Sequence, residues 1–225
     1  MSKLLIIGGS KGIGAAILAD QINKRSCVNI SRTRPDVLGD FEHYSLDVLV
    51  DELPDLDNLS TIIYCPGSIN LKPISSLKEE DFRSDFDINV IGAVRVVKKY
   101  HRKLKKVEGA SIVLFSTVAV AQGMAFHASV AAAKGALEGL VRSLASEFAP
   151  SIRINAIAPT ITDTPLAAGI LKNDEMRQKM RDRHPLKRII HPNEVAGLAD
   201  FLIGDSAVSM TGQVLQVDAG ITTIR

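Results

Sequence analysis

Residues 8–14 are Gly8-Gly9-Ser10-Lys11-Gly12-Ile13-Gly14, set between a short apolar run, Leu4-Leu5-Ile6-Ile7, and a stretch with helical periodicity. Glycines belong where a chain leaving a strand must turn tightly, bring its backbone close to a ligand and start a helix near that strand. The exposed N–H groups and the positive end of the helix dipole then suit a pyrophosphate. Strand, glycine turn and helix together predict a dinucleotide site on Gly8, Ser10, Lys11, Gly12, Ile13 and Gly14. The spacing, Gly-x-x-x-Gly-x-Gly, differs from the commoner Gly-x-Gly-x-x-Gly. About 20 residues further on, a carboxylate at the end of the second strand would bind a ribose 2′-hydroxyl. The residues there are Asn29-Ile30-Ser31-Arg32-Thr33-Arg34. Ser31, Arg32 and Thr33 offer a guanidinium and two hydroxyls to a 2′-phosphate, and Lys11 adds a cation, so NADP(H) is expected over NAD(H). The alternative, solvated loop cations with no ligand, stays open at this point.

Such a turn needs a buried strand beneath it, and the chain supplies a series of them. Short β-rich apolar runs at residues 4–8, 27–30, 43–46, 61–64, 111–115, 153–157 and 214–217 show little internal alternation, as strands covered on both faces should. Helical patterns fall between them, at about 13–23, 79–105, 129–148, 174–181 and 193–203. In the third, Val130, Ala133, Leu137, Leu140, Val141 and Leu144 recur at steps of three and four, giving one apolar face. This alternation predicts an α/β fold: a Rossmann-type doubly wound parallel sheet with helices on both faces, in a single domain over residues 1–225. The least regular stretch, about 160–192, has Thr-rich and Pro-containing turns around one short charged helix and is expected to act as a substrate loop or lid, the alternative being an ordinary surface excursion.

Composition narrows the function. A formal net charge of +2, no Trp and 4% aromatic residues leave neither the basic excess nor the stacking surfaces of a nucleic-acid binder. Cys27 and Cys65 are too few for a metal cluster or a disulfide framework, so no metal is expected and a reducing, cytoplasmic setting fits. The apolar run after Lys3 is too short for a signal sequence or a membrane span. The cationic run at 98–106 is expected to complement the dipole at the end of a long helix rather than to form a binding patch.

Further motifs accompany the glycine turn: Asp47-Val48, Asn89-Val90-Ile91-Gly92-Ala93, Ala131-Ala132-Ala133-Lys134-Gly135-Ala136-Leu137, Asn155-Ala156-Ile157-Ala158-Pro159, Asp163-Thr164-Pro165, Thr211-Gly212-Gln213-Val214-Leu215 and Val217-Asp218-Ala219-Gly220. With these the sequence resembles the classical-type short-chain dehydrogenase/reductase family over nearly its whole length. The resemblance implies adenine contacts at Asp47 and Val48, cofactor contacts at Gly67, Lys134, Pro159, Ile161 and Thr164, and catalytic roles for Asn89, Ser116, Thr117 and Lys134. It also implies a homodimer or homotetramer built on the long helices.

Where the family carries a Tyr four residues before the Lys, this chain has Val130. The family's Ser falls on Thr117, with Ser116 just before it; the usual Asn-Asn-Ala-Gly is Tyr64-Cys65-Pro66-Gly67; and the Gly after Pro159 is Thr160. By resemblance, Thr117 or Ser116 polarises a carbonyl oxygen, Lys134 holds the nicotinamide ribose, and Asn89 anchors a water in a proton relay. Val130 has no proton to give, and loss of a positioned general acid costs about 10²–10⁴ in rate. His127, which shares a helix face with 130, 131 and 134, or Lys134 itself could supply the proton. Alternatively His127 is a partly exposed residue at the helix entrance, with Ser129 as the N-cap. The expected function is NADP(H)-dependent interconversion of a small-molecule carbonyl and alcohol with an atypical proton donor. The rival is a catalytically silent NADP(H)-binding protein with a sensing or assembly role.

Overall fold

The computed structural model describes residues 2–224. Seven strands, β1 (Lys3–Ile7), β2 (Ser26–Ser31), β3 (Glu42–Ser45), β4 (Leu59–Tyr64), β5 (Ala110–Phe115), β6 (Ile152–Pro159) and β7 (Val214–Val217), form one sheet in the order β3-β2-β1-β4-β5-β6-β7. Every neighbouring pair is parallel. All seven runs expected from the sequence are strands.

The central strands are nearly all apolar because each face is covered. Along β1, Leu5 and Ile7 join one core with Val96 and Tyr100 of α3 (Gly92–Leu104) and Leu137 and Val141 of α5 (Ala128–Phe148). Leu4 and Ile6 point the other way, into a core with Ile17 and Leu18 of α1 (Gly12–Gln21) and Val195 and Leu202 of α7 (Pro192–Ile203). The period-two alternation of a strand thus divides its side chains between two helical layers. After β3 the chain crosses back to lay β4 on the far side of β1. The connections leaving the carboxyl ends of β1 and β4 therefore run to opposite faces of the sheet, opening the crevice that doubly wound sheets use for ligands.

The expected helix at 79–105 is not continuous. It divides into α2 (Glu79–Phe86), one π-helical turn (Asp87–Ile91) and α3. The Gly92 N–H returns to the Asp87 carbonyl, five residues back. Tyr64, at the end of β4, donates its hydroxyl to the Ile88 carbonyl at 2.6 Å, and a Cβ at Gly92 would overlap that hydroxyl, so the wide turn wraps around a side chain rising from the sheet. A short helix the sequence did not announce, α4 (Ala119–Gln122), follows β5. Ser129 is not an N-cap: α5 starts at Ala128 with His127 in the cap position, leaving Ser129 buried inside the helix with an unpartnered hydroxyl.

The stretch 160–192 is ordered. Its α6 (Asp174–Asp182) is capped by Asn173, whose side chain accepts from the Met176 N–H at 2.9 Å. Ala167, Leu171 and Met180 form a small core of their own, and Thr162 bridges to Ile190. Among the described residues no helix is long and apolar enough to cross a membrane, and no cluster of His, Cys, Asp and Glu could hold a metal ion.

Candidate active site

At the carboxyl end of β1 the glycine turn is held by backbone geometry. Gly12 has φ +57°, a left-handed conformation that side chains disfavour, and a Cβ at Gly14 would overlap the Gly8 carbonyl oxygen. Lys11 caps α1 in an extended conformation with no side-chain cap, and the first turn carries no acidic residue. The positive end of this helix is therefore neither capped nor neutralised from within.

Asn29, wholly buried on β2, pins the turn. Its Oδ1 accepts from the Gly9 N–H at 2.9 Å, while its Nδ2 donates to Ser31 Oγ at 2.8 Å and to His43 Nδ1 at 2.9 Å. Desolvation, with the nearby Arg34 charge, holds the His43 imidazole below its ordinary pKa. The neutral ring thus accepts from Asn29. The sequence offered no sign of this bracket, because its partners lie 14 and 20 residues from Asn29.

Ser31 lines the cavity beside the glycine turn, and its hydroxyl donates to the Thr33 carbonyl at 2.8 Å and accepts from Asn29. Arg32 and Thr33 are exposed and line a cavity of about 420 Å³ with Ser10, Lys11, Asp47 and Val48. Asp47 braces the rim, its Oδ1 accepting from the Leu49 N–H at 2.9 Å. Arg34 lies 5.0 Å from the centre of the Phe41 ring and does not line this cavity.

A second cavity, of about 350 Å³, adjoins the first at Gly67, which lines both. Lys134 reaches it from α5, nearly fully buried, donating from Nζ to the Phe115 carbonyl at 2.6 Å. Desolvation lowers its pKa to about 8, against smaller upward pulls from Cys65 and Asp85. Val130 lies one turn earlier on α5, buried against the same cavity. The two hydroxyls at the end of β5 differ. Ser116 Oγ donates to Glu138 Oε1 at 2.6 Å, committing its proton, whereas Thr117 Oγ1 only accepts, from the Ala119 N–H at 3.3 Å. Thr117 thus retains a proton to donate.

The π-turn carries Asn89 into the buried space behind Gly67. Its Nδ2 donates to the Asp85 carbonyl at 2.7 Å and to Ser68 Oγ at 3.1 Å, while its Oδ1 is buried without a partner. A Cβ at Gly67 would sit 3.4 Å from that oxygen and 3.5 Å from Lys134 Nζ, so both face one small gap. Burial pushes the Cys65 thiol up to about 12, which fits the expected packed thiol rather than a nucleophile. His127 is half-buried where it lines the cavity, and its Nδ1 pairs with the Ala125 carbonyl at 2.8 Å.

The cavity is closed by Ile13, Pro159, Ile161 and Thr164, together with residues of the 160–192 stretch. One of these, His184, was not singled out from the sequence. It is buried, donating from Nδ1 to the Met180 carbonyl at 2.6 Å, and its Nε2 pairs with Thr160 Oγ1 at 2.9 Å. A carbonyl can only accept, so Nδ1 carries the proton and, in the neutral ring, Nε2 accepts from Thr160. This bond ties the end of α6 to the end of β6.

A parallel sheet with its crevice beside a glycine turn and a buried Lys is the architecture of a nucleotide-dependent enzyme. Comparison with known proteins specifies the class. Residues 44–222 match the family described as Enoyl-(Acyl carrier protein) reductase. A tropinone reductase homolog of Arabidopsis thaliana is 30% identical, covering 97% of this chain and 92% of its own. The cis-4-hydroxycyclohexanecarboxylate dehydrogenase of Sinomonas cyclohexanicum is 31% identical, covering 98% and 96%. Among solved structures, the ligand-free aldohexose dehydrogenase of Thermoplasma acidophilum superposes with a TM-score of 0.89 at 26% identity, covering 100% of this chain and 94% of that one. The chain belongs to the short-chain dehydrogenase/reductase family of NAD(P)-dependent oxidoreductases.

Proposed function

We propose that the protein is an NADP(H)-dependent oxidoreductase that interconverts a small carbonyl compound and its alcohol, with Lys134 as proton donor in place of a tyrosine. The observation that carries this reading is the meeting of the two cavities at Gly67, one cationic beside the glycine turn and the other apolar around Lys134. The unfilled end of α1, the orphaned Asn89 Oδ1 and the gap above Gly67 fit a dinucleotide lying across both. Arg32 and Lys11 would hold a 2′-phosphate, Thr33 would support them, and the Asp47-Val48 rim would face the adenine. Pro159, Ile161 and Thr164 would border the nicotinamide.

When bound, the cofactor supplies or accepts a hydride at the substrate carbon. In reduction, the Thr117 hydroxyl donates a hydrogen bond to the carbonyl oxygen and polarises it while keeping its own proton, a role closed to Ser116 by Glu138. The developing alkoxide takes a proton from the Lys134 ammonium, directly or through a water resting on Asn89 Oδ1. With Val at 130 no ring stands between that ammonium and the cavity. The 160–192 stretch acts as the lid, and the His184–Thr160 bond holds its inner end. A silent NADP(H)-binding role is favoured by the same Val130.

The first test is a fluorescence titration with NADPH and NADH. Binding of NADPH at micromolar concentration, with NADH at least tenfold weaker, is the expected result. Failure of both to bind removes the oxidoreductase reading.

A further inference from the structure

The 160–192 stretch carries four arginines, and three have oxygen partners. Arg177 makes a bidentate pair with Asp163 at 2.8 and 2.9 Å, Arg188 meets Glu194 at 2.7 Å, and Arg181 donates to Gln178 Oε1 at 3.3 Å. Arg183 is the exception. Its side chain has no oxygen partner among the described residues, only a contact from Nη1 to Met180 Sδ at 3.9 Å. It is also the one arginine of the four that lines the cavity of Lys134 and Thr117.

Two further observations sharpen its meaning. No Asp or Glu lines that cavity, so nothing inside it neutralises the guanidinium. The adjacent carboxylate, Asp182, is outside the cavity and accepts from Gln178 Nε2 at 3.1 Å. The same cavity is lined by the apolar side chains of Ile170, Met180 and Ile221, and Met180 touches Arg183. An unpartnered planar donor fork at the edge of an apolar pocket matches a planar anion carried on an apolar body.

We infer that the substrate is a keto acid, or the corresponding hydroxy acid: a small apolar skeleton whose carboxylate pairs with Arg183 while its carbonyl or hydroxyl lies at Thr117 and Lys134. This rests on the oxidoreductase reading for what happens to the carbonyl, but not for the recognition of the anion. The pairing orients the molecule and brings the lid, which carries Arg183, onto the substrate. A neutral ketone of the same shape would enter without that anchor.

The test uses matched probes, 3- and 4-acetylbenzoate and their methyl esters, with binding measured by calorimetry on the protein alone and saturated with NADPH. The expected result is an acid bound at least tenfold more tightly than its ester, with the difference reduced to less than twofold in Arg183→Gln and partly restored in Arg183→Lys. Because Arg183 is exposed, the variants should melt with the parent protein, and thermal denaturation checks this. Equal binding of acid and ester, failure of every acid to bind, or a preference that survives in Arg183→Gln each overturns the inference. The NADPH titration reads out separately: without cofactor binding, an Arg183-dependent preference leaves anion recognition standing and removes the oxidoreductase reading. With cofactor binding and no such preference, the reverse holds.

Discussion

Replacing Val130 by Tyr tests the chemistry most directly. Val130 and Lys134 are one helical turn apart on α5, so their Cβ atoms lie about 5–6 Å from each other. Both side chains face the same cavity of about 350 Å³, which has room for a ring at its edge. A phenol placed there would stand beside a buried ammonium, which favours its ionised form and lowers its pKa. A positioned general acid contributes about 10²–10⁴ in rate, equivalent to about 3–5 kcal/mol of barrier. Lys134 already supplies part of this, so Val130→Tyr should raise kcat for carbonyl reduction by about 10- to 100-fold. The assay follows loss of reduced-nicotinamide absorbance with a panel of keto acids and ketones, using Val130→Phe as the control that fills the same space without a hydroxyl. A gain confined to the Tyr variant supports the assignment of the site. Equal rates for Tyr, Phe and parent, with NADPH binding retained, would refute it and leave the silent-binder reading in its place.

Two other outcomes follow from the same geometry. If Lys134 is the acid, with its pKa lowered to about 8, its protonated form dominates below pH 8; kcat/KM for reduction should be level there and fall toward tenfold per pH unit above it, while alcohol oxidation, which needs the neutral amine, should rise to about pH 8 and then level off. A reduction profile flat from pH 7 to about 10 would remove Lys134 from that role. The two hydroxyls should also separate: Thr117→Val should lower kcat by about 10- to 100-fold, whereas Ser116→Ala, which removes only a donor already committed to Glu138, should change it less than threefold. Steady-state rates on both variants decide this, and the opposite ranking would exchange their roles.

The sheet was legible in the sequence because each central strand is buried on both faces and so appears as an unbroken apolar run. The glycine turn was legible for a related reason, since few residue types other than glycine fit its backbone. Less visible were features set by partners remote in sequence. Nothing in Asp87-Ile88-Asn89-Val90-Ile91 marks a π-turn, because it depends on Tyr64 reaching Ile88 from another element. Ser31 carried the right group for a phosphate, but its bonds to Asn29 and Thr33 left no mark in the sequence. His184 gave no signal because its partner, Thr160, lies 24 residues away. Arg183 is one arginine among several in a charged stretch, and only the pairing of the others and its own place in the cavity lining set it apart.

The π-turn makes Asn89 dependent on the length of the chain as well as on its own identity. An α-helix advances about 100° per residue. Deleting one residue between Asp87 and Ile91 would let the segment close into a regular helix with good backbone hydrogen bonds, leaving the sheet and both cores in place. Yet the turn would then come round with one residue fewer, so α3 could keep its packing only if the residues of the former turn took new directions, and the Asn89 amide would no longer address the gap above Gly67. A protein so shortened would be folded and outwardly unremarkable, with the other site side chains present and the Asn89 amide misdirected. The extra residue acts as a spacer in the frame of the helix, and its absence would go unnoticed in a comparison of residue types alone.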